Sequence, residues 1–200
     1  PFQREVSVVA VRGRDGEFRA WPLTENWHVD GVLSASLAPA HADAILQATA
    51  SSYAQRLAER LDYVGVFALA LFCRDGELLA NEIAPRVHNS GHWTQDGAVT
   101  SQFAQHLRAV LDLPLGSTAP TAAATVMVNL LGGEQEPGAE ALARAMALEP
   151  EARIHLYGKG WRTGRKLGHV NLTGASAEPT EVAAVRERAR AVVAILRGDA

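Results

Sequence analysis

One cysteine, Cys73, is the only one in 200 residues, which excludes an intramolecular disulfide. It lies inside an apolar run and reads as a buried structural thiol; such scarcity suits a reducing cytoplasm. No apolar segment reaches the roughly 20 residues that span a bilayer. Nor does a charged stretch followed by an apolar one open the chain, so export and membrane insertion are disfavoured. Charge of one sign is lacking too: 19 Lys and Arg stand against 22 Asp and Glu, a formal net of −3. Without a broad cationic field, nucleic acid and membrane surfaces are poor partners. Neither Gly-x-Gly-x-x-Gly nor a Gly-Lys-Ser/Thr phosphate loop occurs. An initiator methionine is missing as well. The sequence opens at Pro1 and enters a strand pattern by Glu5, so a cut through something longer is expected.

What is present is globular. Hydrophobic residues make up 48% and mean hydropathy is −0.03, enough for a core in one domain or one and a half. Two hairpins with Asp-Gly turns are predicted, one around Asp15-Gly16 and one around Asp75-Gly76, the second joining Val64–Cys73 to Leu78–Ile83. Between them, Glu25–Leu33 reads as a polar loop, and Pro39–Asp62 as one amphipathic helix burying Ala44, Ile45, Ala48, Ala50, Tyr53, Leu57, Ala58 and Leu61. Thr100–Leu113 reads as a helix with Phe103, Leu107, Val110 and Leu111 inward. Strands follow at Thr125–Leu131, Ile154–Tyr157 and Leu167–Leu172, with helices at Gly138–Ala147 and Glu178–Leu196. Strands and helices alternate without a βαβ beat, which argues for α+β layers. The Gly/Pro-rich connection Pro114–Pro120 is the best internal boundary, dividing residues 1–113 from 114–200.

Polar chemistry gathers in Asn81 to Thr94, where an apolar strand ends and Pro85 and Gly91 shape the connection. Glu82 beside Asn81 suits Mg²⁺, which takes hard oxygen ligands and keeps phosphates and water; a salt-bridged strand-end carboxylate is the plainer alternative. Arg86 and His88, at alternate positions of an extended segment, share a side, where they could clamp an oxyanion and hold or move a proton. Asn89-Ser90-Gly91 could present donors to an anion, or be an ordinary turn. His88 and His92 would suggest zinc only in a helix, which Pro85 and Gly91 oppose, and no cysteine or third histidine is expected near. His28 reads as a hydrogen-bonded loop residue. Lys159, Arg162, Arg165 and Lys166, interleaved with Gly158, Gly160 and Gly164, form the densest cationic patch, suited to one phosphate group or to a solvated hairpin.

Asn81 to Thr94, followed by Thr100-Ser101-Gln102-Phe103-Ala104-Gln105-His106-Leu107-Arg108, resembles 5-(carboxyamino)imidazole ribonucleotide synthase, an ATP-grasp enzyme of purine biosynthesis. The resemblance extends to Arg4-Glu5-Val6-Ser7-Val8, Glu25 to Leu33, Val128 to Gly132, His155 to Lys159 and Gly164 to His169, and covers the second half of that family. It implies the C-terminal part of an ATP-grasp fold, an antiparallel sheet with packed helices, plus a small C-terminal β-rich domain. The implied reaction phosphorylates bicarbonate with ATP to carboxyphosphate, whose carboxyl group passes to the exocyclic amine of aminoimidazole ribonucleotide. By resemblance, Glu82 with Asn81 would hold Mg²⁺ on the ATP phosphates. Arg86 and His88, with Asn89 and Ser90, would serve bicarbonate and carboxyphosphate, and Lys159 and Arg165 would grip the ribonucleotide phosphate. A cytoplasmic homodimer is implied for the full-length family member.

Three departures qualify this expectation. The family's second Mg²⁺ glutamate, on the strand before Glu82, is Ala70 here, and Thr163 replaces the proline usual before Gly164. The family's N-terminal half, which covers ATP, has no counterpart in the sequence. A partial enzyme inactive alone is therefore expected, with a non-catalytic phosphoribonucleotide-binding module as the alternative.

Overall fold

Residues 2–199 are described by a computed structural model; Pro1, where the cut is expected, lies outside them. Its frame is one antiparallel sheet of nine strands. These are β1 (Arg4–Arg12), β2 (Phe18–Ala20), β3 (Thr24–Val29), β4 (Val32–Ala38), β5 (Gly65–Arg74), β6 (Glu77–Ala84), β7 (Ala124–Leu131), β8 (Arg153–Leu156) and β9 (Lys166–Gly174). They lie in the order β6-β5-β1-β3-β4-β7-β9-β8, with β2 also on β1. The helices are α1 (Ala44–Arg60), the single turn α2 (Thr94–Gly97), α3 (Gln102–Val110), α4 (Ala139–Leu148) and α5 (Pro179–Arg197). No helix is long and apolar enough to cross a membrane among the described residues. The α+β class agrees with the sequence, and Cys73 is buried and free.

Period-2 alternation explains the layers. Val6, Val8 and Ala10 of β1 and Phe67, Leu69, Leu71 and Cys73 of β5 pack against Leu46, Ala50, Ala54 and Ala58 of α1. Val9, Val11, Val66, Ala68 and Ala84 occupy the opposite face with Trp93, Ala109 and Met127. Farther along the sheet, Leu37, Val126, Val128, Leu130, Val170 and Leu172 bury α5 through Val185, Ala189 and Val192. The sheet continues across the 114–120 connection, because β4 pairs with β7 from Ala35↔Val128 to Ala38↔Thr125.

Four expectations change. Glu25–Leu33 is a hairpin, β3–β4, whose two-residue turn sets Asp30 at φ 50° and Gly31 at φ 74°; two positive φ values match a type I′ turn. It read as loop because β3 carries polar side chains on both neighbours of Trp27. The first helix starts at Ala44, capped by the Asp43 side chain on the Leu46 N–H at 2.7 Å. Its buried stripe is mostly alanine, which lets it sit close on the sheet, while Ile45 and Leu61 are exposed.

The largest change is in α3, where Phe103, Leu107 and Leu111 face outward and Gln102, Gln105 and Ala109 are buried. Val110 is half-buried. Amides win the interior because each glutamine pairs with a whole peptide, as a strand neighbour would. Gln105 Oε1 accepts from the Gly116 N–H at 2.8 Å and its Nε2 donates to the Gly116 carbonyl at 2.6 Å. A buried, fully paired amide avoids the desolvation penalty that an unpaired one incurs.

Candidate functional site

The site begins where one sheet face stops being core. Along β1, Val11 and Val9 give way to Ser7 and Glu5; along β5, Val66 and Ala68 give way to Ala70; along β6, Ala84 gives way to Glu82. The register aligns Ser7, Ala70 and Glu82 in one row across three strands. A cavity of about 240 Å³ opens above that row, lined among others by Glu5, Asn26, His28, Glu82, His88, Ser90 and Lys166. Ala70 also lines it, so a methyl group stands beside Glu82 where the resemblance leads one to expect a carboxylate. Asn81 sits at the register shift opposite Ala70/Leu71 and does not line the cavity.

The roof is the connection from Arg86 to Gly97. Trp93 pins it: the indole is fully buried and its Nε1–H donates to Thr24 Oγ1 at 2.9 Å. Burying a side chain of that size contributes roughly 2–3 kcal/mol. Asn89–Gly91 forms a 3₁₀ turn capped by His88, whose Nδ1 accepts from the Ser90 N–H at 3.3 Å and lies 2.8 Å from Ser90 Oγ. Accepting at Nδ1 places the neutral ring's proton on Nε2. Burial, then the charges of Arg86, Lys166 and His28, push the His88 pKa down to about 4. His88 is thus a neutral donor at physiological pH. Arg86 is exposed and turns one guanidinium N–H to the Val87 carbonyl at 3.0 Å. Both polar atoms of the Asn89 side chain are buried with no partner among the described residues.

Gln102 fixes the roof from below. Its Oε1 accepts from the His88 N–H at 2.9 Å and its Nε2 donates to the His88 carbonyl at 2.8 Å. The same Nε2 lies 3.0 Å from His92 Nδ1. Gly91 makes room, since a Cβ there would fall 2.4 Å from Gln102 Oε1.

Sequence reading missed the other wall. Most inward-alternating residues of β7 and β9 on this side are polar: Thr125 and Asn129, which flank the core residue Met127, then His169 and Asn171. His155 on β8 is directly opposite His169. Their rings stack at 4.5 Å, and His169 stacks on His92 at 4.9 Å. Asp96 Oδ2 anchors the row, accepting from His155 Nε2 and Asn171 Nδ2, both at 2.7 Å. Burial raises the Asp96 pKa, but these two hydrogen bonds outweigh it and leave it lowered. Tyr157 Oη meets His169 Nδ1 at 2.7 Å, and burial pushes its phenol up to about 12. A third and a fourth histidine therefore do lie near His92, contrary to the sequence expectation, brought there by strand pairing. Period-2 polarity in Thr125–Leu131 and Lys166–Thr173 was the available signal. Among the described residues, no group of three or more His, Cys, Asp or Glu is arranged to hold a metal ion.

Of the cationic patch, Lys166 enters the cavity. Burial, then Arg86 and Lys159, lower its pKa. Lys159 is exposed with its Nζ 5.2 Å from the Tyr157 ring centroid, and Arg165 is exposed with a guanidinium N–H on the Gly160 carbonyl at 3.0 Å. Glu5, Ser7, Asn26 and His28 join the site from β1 and β3. His28 Nδ1 lies 3.4 Å from Glu5 Oε2, and burial raises the Glu5 pKa, with His28 opposing and Glu82 reinforcing the rise.

An antiparallel sheet whose polar edge row holds Glu82 beneath an Asn-x-x-x-Pro-Arg connection defines a class: the chain belongs to the ATP-grasp family, matching its domain over residues 1–103. Residues 125–183 match the phosphoribosylaminoimidazole carboxylase C-terminal domain. The chain is similar to N5-carboxyaminoimidazole ribonucleotide synthases. It is 53% identical to that of Vibrio vulnificus over 174 residues, covering 87% of this chain and 44% of that protein. With the Mycobacterium leprae protein it shares 49% over 196 residues, 94% of this chain and 45% of that one. The crystal structure of the Thermus thermophilus synthetase superposes with a TM-score of 0.85 at 52% identity, over 98% of this chain and 51% of that chain. An Aspergillus clavatus synthase solved with ADP and aminoimidazole ribonucleotide gives 0.84 at 32% identity, covering 98% and 51%. The chain thus spans about half the length of the relatives it matches.

Proposed function

We propose that this chain carries the phosphate-metal, bicarbonate and ribonucleotide-phosphate sites of an ATP-dependent carboxylating ligase of purine biosynthesis acting on aminoimidazole ribonucleotide. The observation that carries the reading is the single cavity in which Glu82, His88, Ser90 and Lys166 converge from both matched regions. The expected division of labour follows the 1–113 and 114–200 halves, the first for ATP and bicarbonate, the second for the ribonucleotide. A cytoplasmic location and a homodimer of the full-length protein belong to the same reading.

Mg²⁺ fits the donor set. It needs only one or two carboxylates alongside substrate phosphates and water, and Glu82 supplies one at a cavity that also holds the buried Asn26 Oδ1, which has no partner among the described residues. When bound it neutralises charge on the transferring phosphoryl group. Asn81 is assigned beside Glu82 on the nucleotide side by the resemblance alone. Arg86 holds bicarbonate as an oxyanion, and His88, with Nδ1 occupied by Ser90, donates Nε2–H to the carboxyphosphate oxygens. Asn89 adds amide donors and Ser90 orients His88. Lys159, Arg165 and, from within the cavity, Lys166 hold the ribonucleotide phosphate. A bicarbonate oxygen bonds to the γ-phosphorus as the bond to ADP breaks, and the substrate amine bonds to the carboxyl carbon as phosphate leaves, the amine proton passing to the departing phosphate.

Calorimetry of aminoimidazole ribonucleotide on this chain tests the phosphate assignment. Losing a charge-assisted contact is expected to weaken binding about tenfold or more in Lys159→Ala; unchanged affinity contradicts it. Ala70 favours a second reading, a phosphoribonucleotide-binding module without turnover. Ribonucleotide binding with no Mg-ATP binding in the same calorimeter supports that module, and binding of both supports the ligase.

A further inference from the structure

A column of rings crosses the seam between the two sequence halves. Phe103 stacks on His92 at 5.6 Å and 17°, His92 on His169 at 4.9 Å and 18°, and His169 on His155 at 4.5 Å and 16°. We propose that His92 is a further substrate-binding residue, a neutral Nε2–H donor to the anionic substrate group held between His88 and the Lys159 and Lys166 cations. The proposal rests on the ribonucleotide reading above.

Its proton is placed by elimination. The Gln102 amide has one possible orientation, because its oxygen must face the His88 N–H and its nitrogen the His88 carbonyl. The nitrogen 3.0 Å from His92 Nδ1 therefore only donates, and Nδ1 only accepts. The imidazole proton is left on Nε2. Near-parallel contacts with Phe103 and His169, the edge-on Tyr157 ring at 5.9 Å and the Gln102 amide on Nδ1 hold the ring in place, so the donor's direction is set before any ligand arrives, which saves the ordering entropy a free side chain would lose on binding. Burial, then the nearby His88, Lys166, His155 and Lys159, push the His92 pKa down to about 4 and hold the ring neutral. Tyr157 meets the His92 ring edge-on at 5.9 Å and carries the Lys159 Nζ 5.2 Å from its own ring centroid, which brings a cation to this side of His92. A phosphate monoester or a carboxylate meets the requirement.

His92→Phe keeps the stack and removes both nitrogens; His92→Gln restores a donor near Nε2, whereas His92→Asn has its donor near Nδ1. Titration of aminoimidazole ribonucleotide onto the chain, with Lys159→Ala alongside, is expected to show about tenfold weaker binding for Phe and Asn and binding within about threefold of the parent for Gln. If Phe fails to fold, the difference between Gln and Asn decides the matter. Phe and Asn binding as tightly as the parent while Lys159→Ala is weakened overturns the role of His92 and leaves the ribonucleotide reading standing. A parent chain that binds no ribonucleotide overturns both.

Discussion

Between pH 7 and pH 5 the melting temperature of the folded chain is expected to fall by roughly 10 °C or more. The cause is that His88, His92 and His169 are held neutral, with pKa values pushed down to about 4, 4 and 3. In each case burial is the leading cause. Neighbouring charge adds to it from Arg86, Lys166 and His28 around His88; from His88, Lys166, His155 and Lys159 around His92; and from His92 and His155 around His169, where Asp96 opposes it. An unfolded histidine binds a proton near pH 6.5. Folded-state values below that mean the unfolded chain takes up more protons as pH falls, so stability is fully present above about 6.5 and is lost on the way down to about 4. An isolated histidine of this kind loses about 2 kcal/mol between pH 7 and 5, against a total stability of only about 5–15 kcal/mol for a typical domain. The lowered carboxylates Asp96 and Glu149 act with the same sign, but below their unfolded values of 3.8 and 4.5, so the upper window isolates the histidines. Glu5, raised by burial and Glu82, acts with the opposite sign. His169→Phe should remove about a third of the slope; a flat profile, or a slope indifferent to that substitution, contradicts this account.

Ala70→Glu should raise the affinity of the chain for Mn²⁺ by about tenfold or more, because affinity for a hard cation follows the number of anionic oxygens that face it. The position is prepared for it. Ala70 lies between Ser7 and Glu82 in the cross-strand row, and its methyl faces the cavity instead of any of the packed clusters. Without metal, two carboxylates directly opposite each other repel, so the variant should melt below the parent in chelator and recover on adding Mn²⁺. Electron paramagnetic resonance titration reads the affinity and calorimetric melting reads the recovery. A variant that gains neither means that Glu82 does not serve a cation.

Much of this was legible because it was local. The Asp75-Gly76 hairpin, the end of β6 at Glu82 and the Pro85–Gly91 connection are set by residues next to one another, and the motif carried its own signature. What was not legible depended on register. His155, His169 and Asn171 are far in sequence from His92, and nothing short of the β7–β9–β8 pairing brings them to it. Alternation could have marked His169 and Asn171 as sharing a face, but not what that face meets. The outward turn of Phe103 and Leu107 was hidden for a related reason: apolar spacing marked a stripe, whereas Gln102 and Gln105 each found a peptide to pair with, and paired amides outcompeted it. Polar character likewise disguised β3, whose Asn26 and His28 line the cavity.

The central claim is that the cavity joining Glu82, His88 and Lys166 serves a phosphate-metal side at Glu82 and a ribonucleotide-phosphate side at Lys166, with Lys159 and His92 beside it as the proposed further contacts. Histidine-selective nuclear magnetic resonance tests it most directly, with His106, which accepts from the Val66 N–H at 3.0 Å and lines no part of the cavity, as the internal reference. Adding aminoimidazole ribonucleotide is predicted to move the imidazole signals of His88 and His92 and leave that of His106 in place. Signals of His88 and His92 that stay fixed at saturating ribonucleotide would contradict it.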